Sequence, residues 1–130
     1  MRCLDTDLLI SILRGKNEAR KTVAELDEEA NCATTSINAF EIFFGANKSE
    51  KKDENIREAA KLLKRLMVFP LNLSSSQKAA QISATLAAGG KTIDYRDAMI
   101  AAIAIENNLT LVTRNKAHFE RVKNLKMEEW

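Results

Sequence analysis

Short apolar segments alternate with longer amphipathic ones along the whole chain, and this alternation limits the possible folds more than any other feature. Residues 1–4, "CATTS" (32–36), "VFPLN" (68–72) and "LTLVT" (109–113) read as strands, and "LKMEEW" (125–130) as a fifth. The stretches 7–14, 17–30, 37–46, 49–67, 74–88, 94–107 and 115–122 read as helices. A strand followed by a helix and then another strand favours a parallel crossover, so the expected fold is α/β, a parallel sheet with helices on both faces. Pro70 places the third strand at an edge or end of that sheet. Val23, Leu26 and Ala30 share one helical face, and Ile56, Ala59, Ala60, Leu63, Leu66 and Met67 form another stripe. Ser36 is the expected N-cap of the helix over 37–46, which is expected to end near Gly45.

The chain has 130 residues, a length that fits one domain over 1–130, and it shows no internal repeat or long linker. It is 45% hydrophobic with a formal charge of +2, a balance that neither demands nor excludes a nucleic-acid partner. No apolar run reaches the length of a membrane span, and the acids in "MRCLDTDLLI" break any signal-peptide pattern. A cytoplasmic location without membrane association is therefore expected. Cys3 and Cys32 fall in strands and read as small buried thiols.

Three acids stand out against this frame. In open parallel sheets, ligands collect beyond the carboxyl ends of the strands. Asp5 follows the first strand directly. Glu41 shares a helical face with Ile37, Phe40 and Phe44, where a core-facing carboxylate needs a partner, a proton or a cation. Asp97 opens "DAMIAAIAIE", with Ile100, Ala101 and Ala104 on the same face. Asp94 and Asp97 also suit helix capping, as does Asp7. Thr113 and Asn115 follow the fourth strand, where turn and N-cap chemistry is the simpler alternative.

Asp5, Glu41 and Asp97 meeting at one sheet edge would suit Mg²⁺ or Mn²⁺, which take carboxylate oxygens and keep several waters. Such a site supports phosphodiester hydrolysis, with Asp5 and Asp97 as main ligands and Glu41 as a further ligand or the group that orients water. Other routes fail on residue types. His118 is the only histidine, which removes two-histidine cleavage of RNA, and its short polar helix suggests a surface or capping role. No G-x-S-x-G, phosphate-binding loop or zinc spacing occurs. Arg14, Lys16, Arg96, Arg114 and Lys116 are candidates for phosphate contact, whereas "KSEKKDE" (48–54) reads as a solvated face.

The motifs in order have a familiar form. "CLDTDLLISILRG" resembles the opening of PIN-domain ribonucleases of the VapC toxin type, roughly L-D-T-[ND]-x-L-I. "TTSINAFEIFFGA" resembles their second motif, with Glu41 four residues before Gly45. "DAMIAAIAIENNLTLVTRNKAHFERVKNL" resembles D-x-x-I-A-A followed by [VL]-T-x-N-x-x-H-F, and the closing "EEW" is also similar. The resemblance covers essentially the whole chain. It implies a three-layer α/β/α sandwich, Mg²⁺ or Mn²⁺ dependence, endoribonuclease activity on RNA, homodimers and a small VapB-like antitoxin partner. By position it implies Asp5, Glu41 and Asp97 as the site acids, with Thr6 and Thr113 as supporting hydroxyls. Asn115 falls where some members carry a fourth acid, which implies weaker hold on a second metal. Many relatives carry Asp two residues before the third acid; here that residue is Tyr95, and Asp94 precedes it. Asp94 is then a ligand or a helix cap, of which the cap is favoured. The helices over 7–14 and 49–67 are candidate antitoxin contacts.

Two other readings compete. A phospho-receiver domain needs an Asp at the end of its central strand, and "VFPLN" ends without one. A catalytically weak PIN-like module that only grips RNA or an antitoxin is opposed by the intact acid triad.

Overall fold

A computed structural model describes residues 1–29 and 31–130, with the side chains of Leu26 and Glu29 also outside the described set. The face expected from Val23, Leu26 and Ala30 therefore lies partly outside the described residues. The strands are β1 (Arg2–Leu4), β2 (Cys32–Thr35), β3 (Met67–Phe69), β4 (Thr110–Val112) and β5 (Lys126–Glu128). The helices are α1 (Thr6–Leu13), α2 (Arg20–Glu29), α3 (Ser36–Lys48), α4 (Lys52–Lys64), α5 (Leu73–Ala88), α6 (Tyr95–Glu106) and α7 (Lys116–Phe119), with a 3₁₀ turn over Asn17–Ala19 before α2.

All pairings are parallel, and the sheet order is β3-β2-β1-β4-β5. The first strand in the chain is thus the middle strand of the sheet. Cys3 pairs with Ala33 on one side and Leu111 on the other. Side chains alternate across a strand, so each strand feeds two cores. Cys3, Ala33 and Leu111 pack with Ala79, Ile82, Ile100 and Phe119 of α5, α6 and α7. Leu4, Cys32 and Val112 pack with Leu8, Ile42, Ala59 and Leu62 of α1, α3 and α4. This is the three-layer α/β/α arrangement. Both cysteines are buried, and β3 is an edge strand, with Pro70 directly after it.

Several boundaries differ from expectation for local reasons. Thr35, not Ser36, caps α3, because Thr35 and Asn38 form a reciprocal capping box. That helix runs through Gly45 to Lys48, since a single glycine costs a helix only about 1 kcal/mol. The helix expected over 49–67 stops at Lys64; Met67 belongs to β3 and is exposed, and Leu62 joins Ala59 and Leu63 on the buried stripe. Gly15, at φ 63°, ends α1: its N–H bonds Ile12 O at 3.0 Å and that of Lys16 bonds Ser11 O at 3.1 Å. Among the described residues no helix is long and apolar enough to cross a membrane.

Candidate active site

Parallel strands end together, and the middle ones deliver polar groups to one edge. The Asp5 N–H continues the β1–β4 ladder by donating to Val112 O at 3.1 Å. Its side chain then caps α1, accepting from the Thr6 N–H at 2.9 Å. The same Oδ1 accepts from Asn38 Nδ2 at 3.1 Å, and Oδ2 accepts from Thr113 Oγ1 at 2.6 Å. Asp5 is only 4% exposed. Burial, with the nearby charges of Asp7 and Asp97, pushes its carboxyl up to about 6, against the pull of the Thr113 and Thr6 hydrogen bonds.

Asn38 links this acid to the next. Its Nδ2 also donates to Thr6 Oγ1 at 2.9 Å, and that hydroxyl donates to Glu41 Oε1 at 3.3 Å. Its Oδ1 accepts from the Thr35 hydroxyl at 2.6 Å. Asn38 is fully buried with its amide hydrogen-bonded on both sides. It was absent from the expected site residues. The signal was available: Asn38 lies one helical turn before Glu41 and opens the helix that carries it.

Glu41 and Asp97 form the rim. Each side chain is 23% exposed. Burial raises both carboxyls above their ordinary range, and neighbouring acids add to the rise: Asp97 and Asp94 for Glu41, Asp94 for Asp97. Glu41 Oε2 faces Arg96 at 3.8 Å, and Asp97 Oδ2 faces His118 Nδ1 at 3.4 Å. His118 is on the surface as expected, but it adjoins a site acid rather than standing apart. Phe40 and Phe44 depart from the expected core face. They are 59% and 53% exposed, because α3 turns Asn38, Ile42 and Ala46 inward instead.

The remaining candidates divide. Asp94 caps α6, accepting from the Arg96 N–H at 2.8 Å, and its hydrogen bond from the Arg96 side chain lowers its carboxyl. Thr113 is buried against Asp5, and its hydroxyl also accepts from the Asn115 N–H at 3.0 Å. Asn115 occupies the N-cap position of α7 without a side-chain cap bond and is exposed, as is Lys116. Arg114 is engaged elsewhere, bonding Glu18 at 2.6 Å and stacking 3.6 Å from the Trp130 ring. Asp5 rather than Asp7 is the N-cap of α1, although Asp7 accepts from the first-turn Leu8 N–H at 2.7 Å; it also accepts from the Arg114 N–H at 2.8 Å and Trp130 Nε1 at 3.2 Å, pinning the segment after β4. Arg14 and Lys16 stand at the far end of α1 and line a separate cavity with Asp7 and Trp130. A larger apolar cleft of about 610 Å³ between α5 and α6 contains none of the acids.

Among the described residues no three acids, cysteines or histidines close around a single ion position. The donor set nonetheless suits a hard cation that takes one or two carboxylates and fills its shell with water. All three carboxyls are raised first by burial and then by neighbouring negative charge, and a divalent cation would offset both.

Comparison with known proteins shows the family and fold to which the chain is similar. The family model for the PIN domain matches residues 2–125. The tRNA(fMet)-specific endonuclease VapC of Shigella flexneri is 30% identical over 127 residues, covering 98% of this chain and 96% of that protein. Ribonuclease VapC2 of Haemophilus influenzae is 32% identical over 128 residues, with the same coverage of both. The crystal structure of DNA-bound VapBC from Salmonella typhimurium superposes with a TM-score of 0.91 at 28% identity, covering 100% of this chain and 99% of the other.

Proposed function

This chain belongs to the PIN-domain family, and from that premise we propose that it is an Mg²⁺- or Mn²⁺-dependent endoribonuclease, the toxin of a VapBC-type pair. One observation carries the chemistry: Asp5 and Glu41, remote in sequence, are joined through hydrogen bonds of Asn38 and Thr6, and the charge of Asp97, remote from both in sequence, acts on each of them. Relatives that share its full length are ribonucleases by name.

Asp5 and Asp97 would hold the ion, and Glu41 would either join them or accept a hydrogen bond from the attacking water. A bound divalent ion supplies a water of lowered pKa and stabilises charge on the phosphoryl oxygens. The chain's own residues do the rest. Thr113 and Asn38 fix both Asp5 oxygens, so the acid cannot rotate away. Thr6 ties Glu41 to that same frame. Arg96, beside Glu41, is placed to meet a phosphate oxygen of the substrate. Hydrolysis then adds water across the P–O bond: the water oxygen joins phosphorus and gives up a proton to solvent, while the ribose oxygen leaves and takes one up.

In this proposal the chain acts as a single PIN domain over 1–130 in the cytoplasm, as a homodimer, restrained by a VapB-like antitoxin. Transfer RNA is the first substrate to test, because a relative 30% identical is a tRNA(fMet)-specific endonuclease. The test is cleavage of a tRNA pool by the purified, antitoxin-free chain with Mn²⁺, with EDTA, and by Asp97→Asn. Cleavage lost in both controls supports the proposal. Equal cleavage by the variant overturns the assignment of the acids, and an inactive parent that still binds RNA favours the binding-module reading.

A further inference from the structure

The rim of the site carries two exposed aromatic rings that neither the core nor the carboxylate network uses. Phe40 and Phe44 lie one turn apart on α3 and stack, with ring centroids 5.8 Å apart and planes 21° from parallel. Lys48, one turn further, sets its Nζ 5.0 Å from the Phe44 ring centroid. The spacing i, i+4, i+8 makes these three side chains one column along the helix. Lys48 closes the end of the column farther along α3. Phe40 forms the other end, next to Glu41, and no other ring or cation covers it among the described residues.

That uncovered end opens on a cavity of about 350 Å³, within the range of small-ligand clefts. Thr6 and Glu41 of the acid network line it, together with Phe40, Phe44, Lys48 and Arg96. Gly45 leaves part of its wall open, since a Cβ there would meet no atom within 4 Å. The cavity thus combines aromatic side chains and two cations with Glu41, one of the three candidate acids.

We infer that Phe40 and Phe44 form a stacking platform for one unpaired nucleobase of the RNA strand, adjacent to the phosphate that is cut. The inference rests on the ribonuclease reading and adds to it the two side chains that would receive a base. Every base offers a π-face, so stacking selects unpaired bases without reading their sequence. Lys48 and Arg96 flank the rings as phosphate partners, which suits a polyanion. A docking protein helix would need a wider apolar strip, and the two rings here are bordered by Lys48, Ser49 and Arg96.

The experiment uses a short single-stranded oligoribonucleotide containing 2-aminopurine, whose emission is quenched on stacking, and its fully paired duplex. Binding is read in the Asp97→Asn chain with Mn²⁺ to separate it from turnover. Cleavage of the same strand is read in the otherwise unaltered chain. The expected result is quenching with the single strand and none with the duplex. Phe40→Ala and Phe40→Leu should abolish the quenching and raise KM about 10-fold or more, with kcat changed less; Phe40→Tyr should retain both. Phe40 is exposed, so these variants keep the fold. Leu matches the apolar volume without the ring, so a fully active Phe40→Leu would overturn stacking. Quenching that survives Phe40→Ala, or equal quenching by the duplex, would also overturn it while leaving the nuclease reading intact. Loss of antitoxin capture by Phe40→Ala with RNA binding unchanged would overturn it in favour of a protein-docking surface. A parent chain that quenches but never cleaves would instead retain the platform and defeat the nuclease reading.

Discussion

Asp5 and Glu41 carry the same functional group and are held in opposite ways. Asp5 sits on the floor of the site, beyond the middle strand, with bonds of 2.6, 2.9 and 3.1 Å from three donors. Glu41 stands on the rim, with a hydroxyl at 3.3 Å and an exposed guanidinium at 3.8 Å. Asp97 resembles Glu41, its partner His118 lying 3.4 Å away. Good charge-assisted bonds are shorter, about 2.7–2.9 Å, so the rim pairs are loose. The floor is therefore a product of the sheet and its capping network, whereas the rim is built on helices whose acids keep room to adjust. If the proposed nuclease reading holds, the site would have one fixed ligand and others free to move as an ion binds and a product leaves.

The contrast can be broken most forcefully at the rim. Asp97→Asn should lower metal-dependent cleavage by at least about 100-fold. It should leave the thermal midpoint equal or slightly higher, because it removes a repelling charge. A variant that loses activity only by unfolding would show that the rim is structural after all. At the floor the balance reverses. Asn38→Ala leaves the buried Asp5 and Thr35 and the half-buried Thr6 each short of a hydrogen-bond partner and should cost about 2–3 kcal/mol in urea unfolding. Arg96→Ala, on the rim, should leave the urea midpoint where it is.

Smaller effects sharpen the picture. Thr113→Val removes the 2.6 Å bond to Asp5 and should cost about 1–2 kcal/mol. The same change should push the Asp5 carboxyl above about 6, moving the acid limb of the cleavage profile to higher pH. In the parent, Mn²⁺ affinity should fall as pH drops through about 6, since binding needs the ionised acid. Stability without metal should move the other way. Folded Asp5 takes up its proton near pH 6 and the unfolded chain only near pH 4, so lowering pH across that window stabilises the fold. Chemical denaturation at pH 7 and pH 5 measures this. Least affected should be Trp130→Phe, which loses the indole bond to Asp7 but keeps a ring beneath Arg114, and should cost about 1 kcal/mol.

Much of this arrangement is legible before any coordinates. Strand and helix order follows from hydrophobic period, and Asp5 is conspicuous because it interrupts apolar residues at a strand end. Glu41 stands out in the sequence by sharing a face with Phe40 and Phe44, whereas in the fold those two rings are exposed. Two apolar rings on a helix have the same pattern whether they face a core or a ligand, and only the position of Asn38, Ile42 and Ala46 decides between them. Asn38 and Asp7 show another limit. Their roles depend on partners 33 and 107 residues away in sequence, and no local period records such a bond. Met67 reads as part of the preceding helix because, in sequence, its apolar side chain continues the stripe of that charged amphipathic segment into the strand after it.

The thiol of Cys3 has a use that follows from its place in β1. It is wholly inaccessible in the middle strand, and burial, with the charge of Asp5, pushes it up to about 12. An alkylating reagent attacks only a solvated thiolate, so at mildly alkaline pH the folded chain should be nearly inert at this position. Labelling would proceed only when β1 parts from its neighbours, and its rate would count those openings. Because the next residue but one is Asp5, that clock runs beside the floor of the site. Slower alkylation on adding Mn²⁺ would measure, in units of strand opening, how tightly an ion fastens the centre of the sheet.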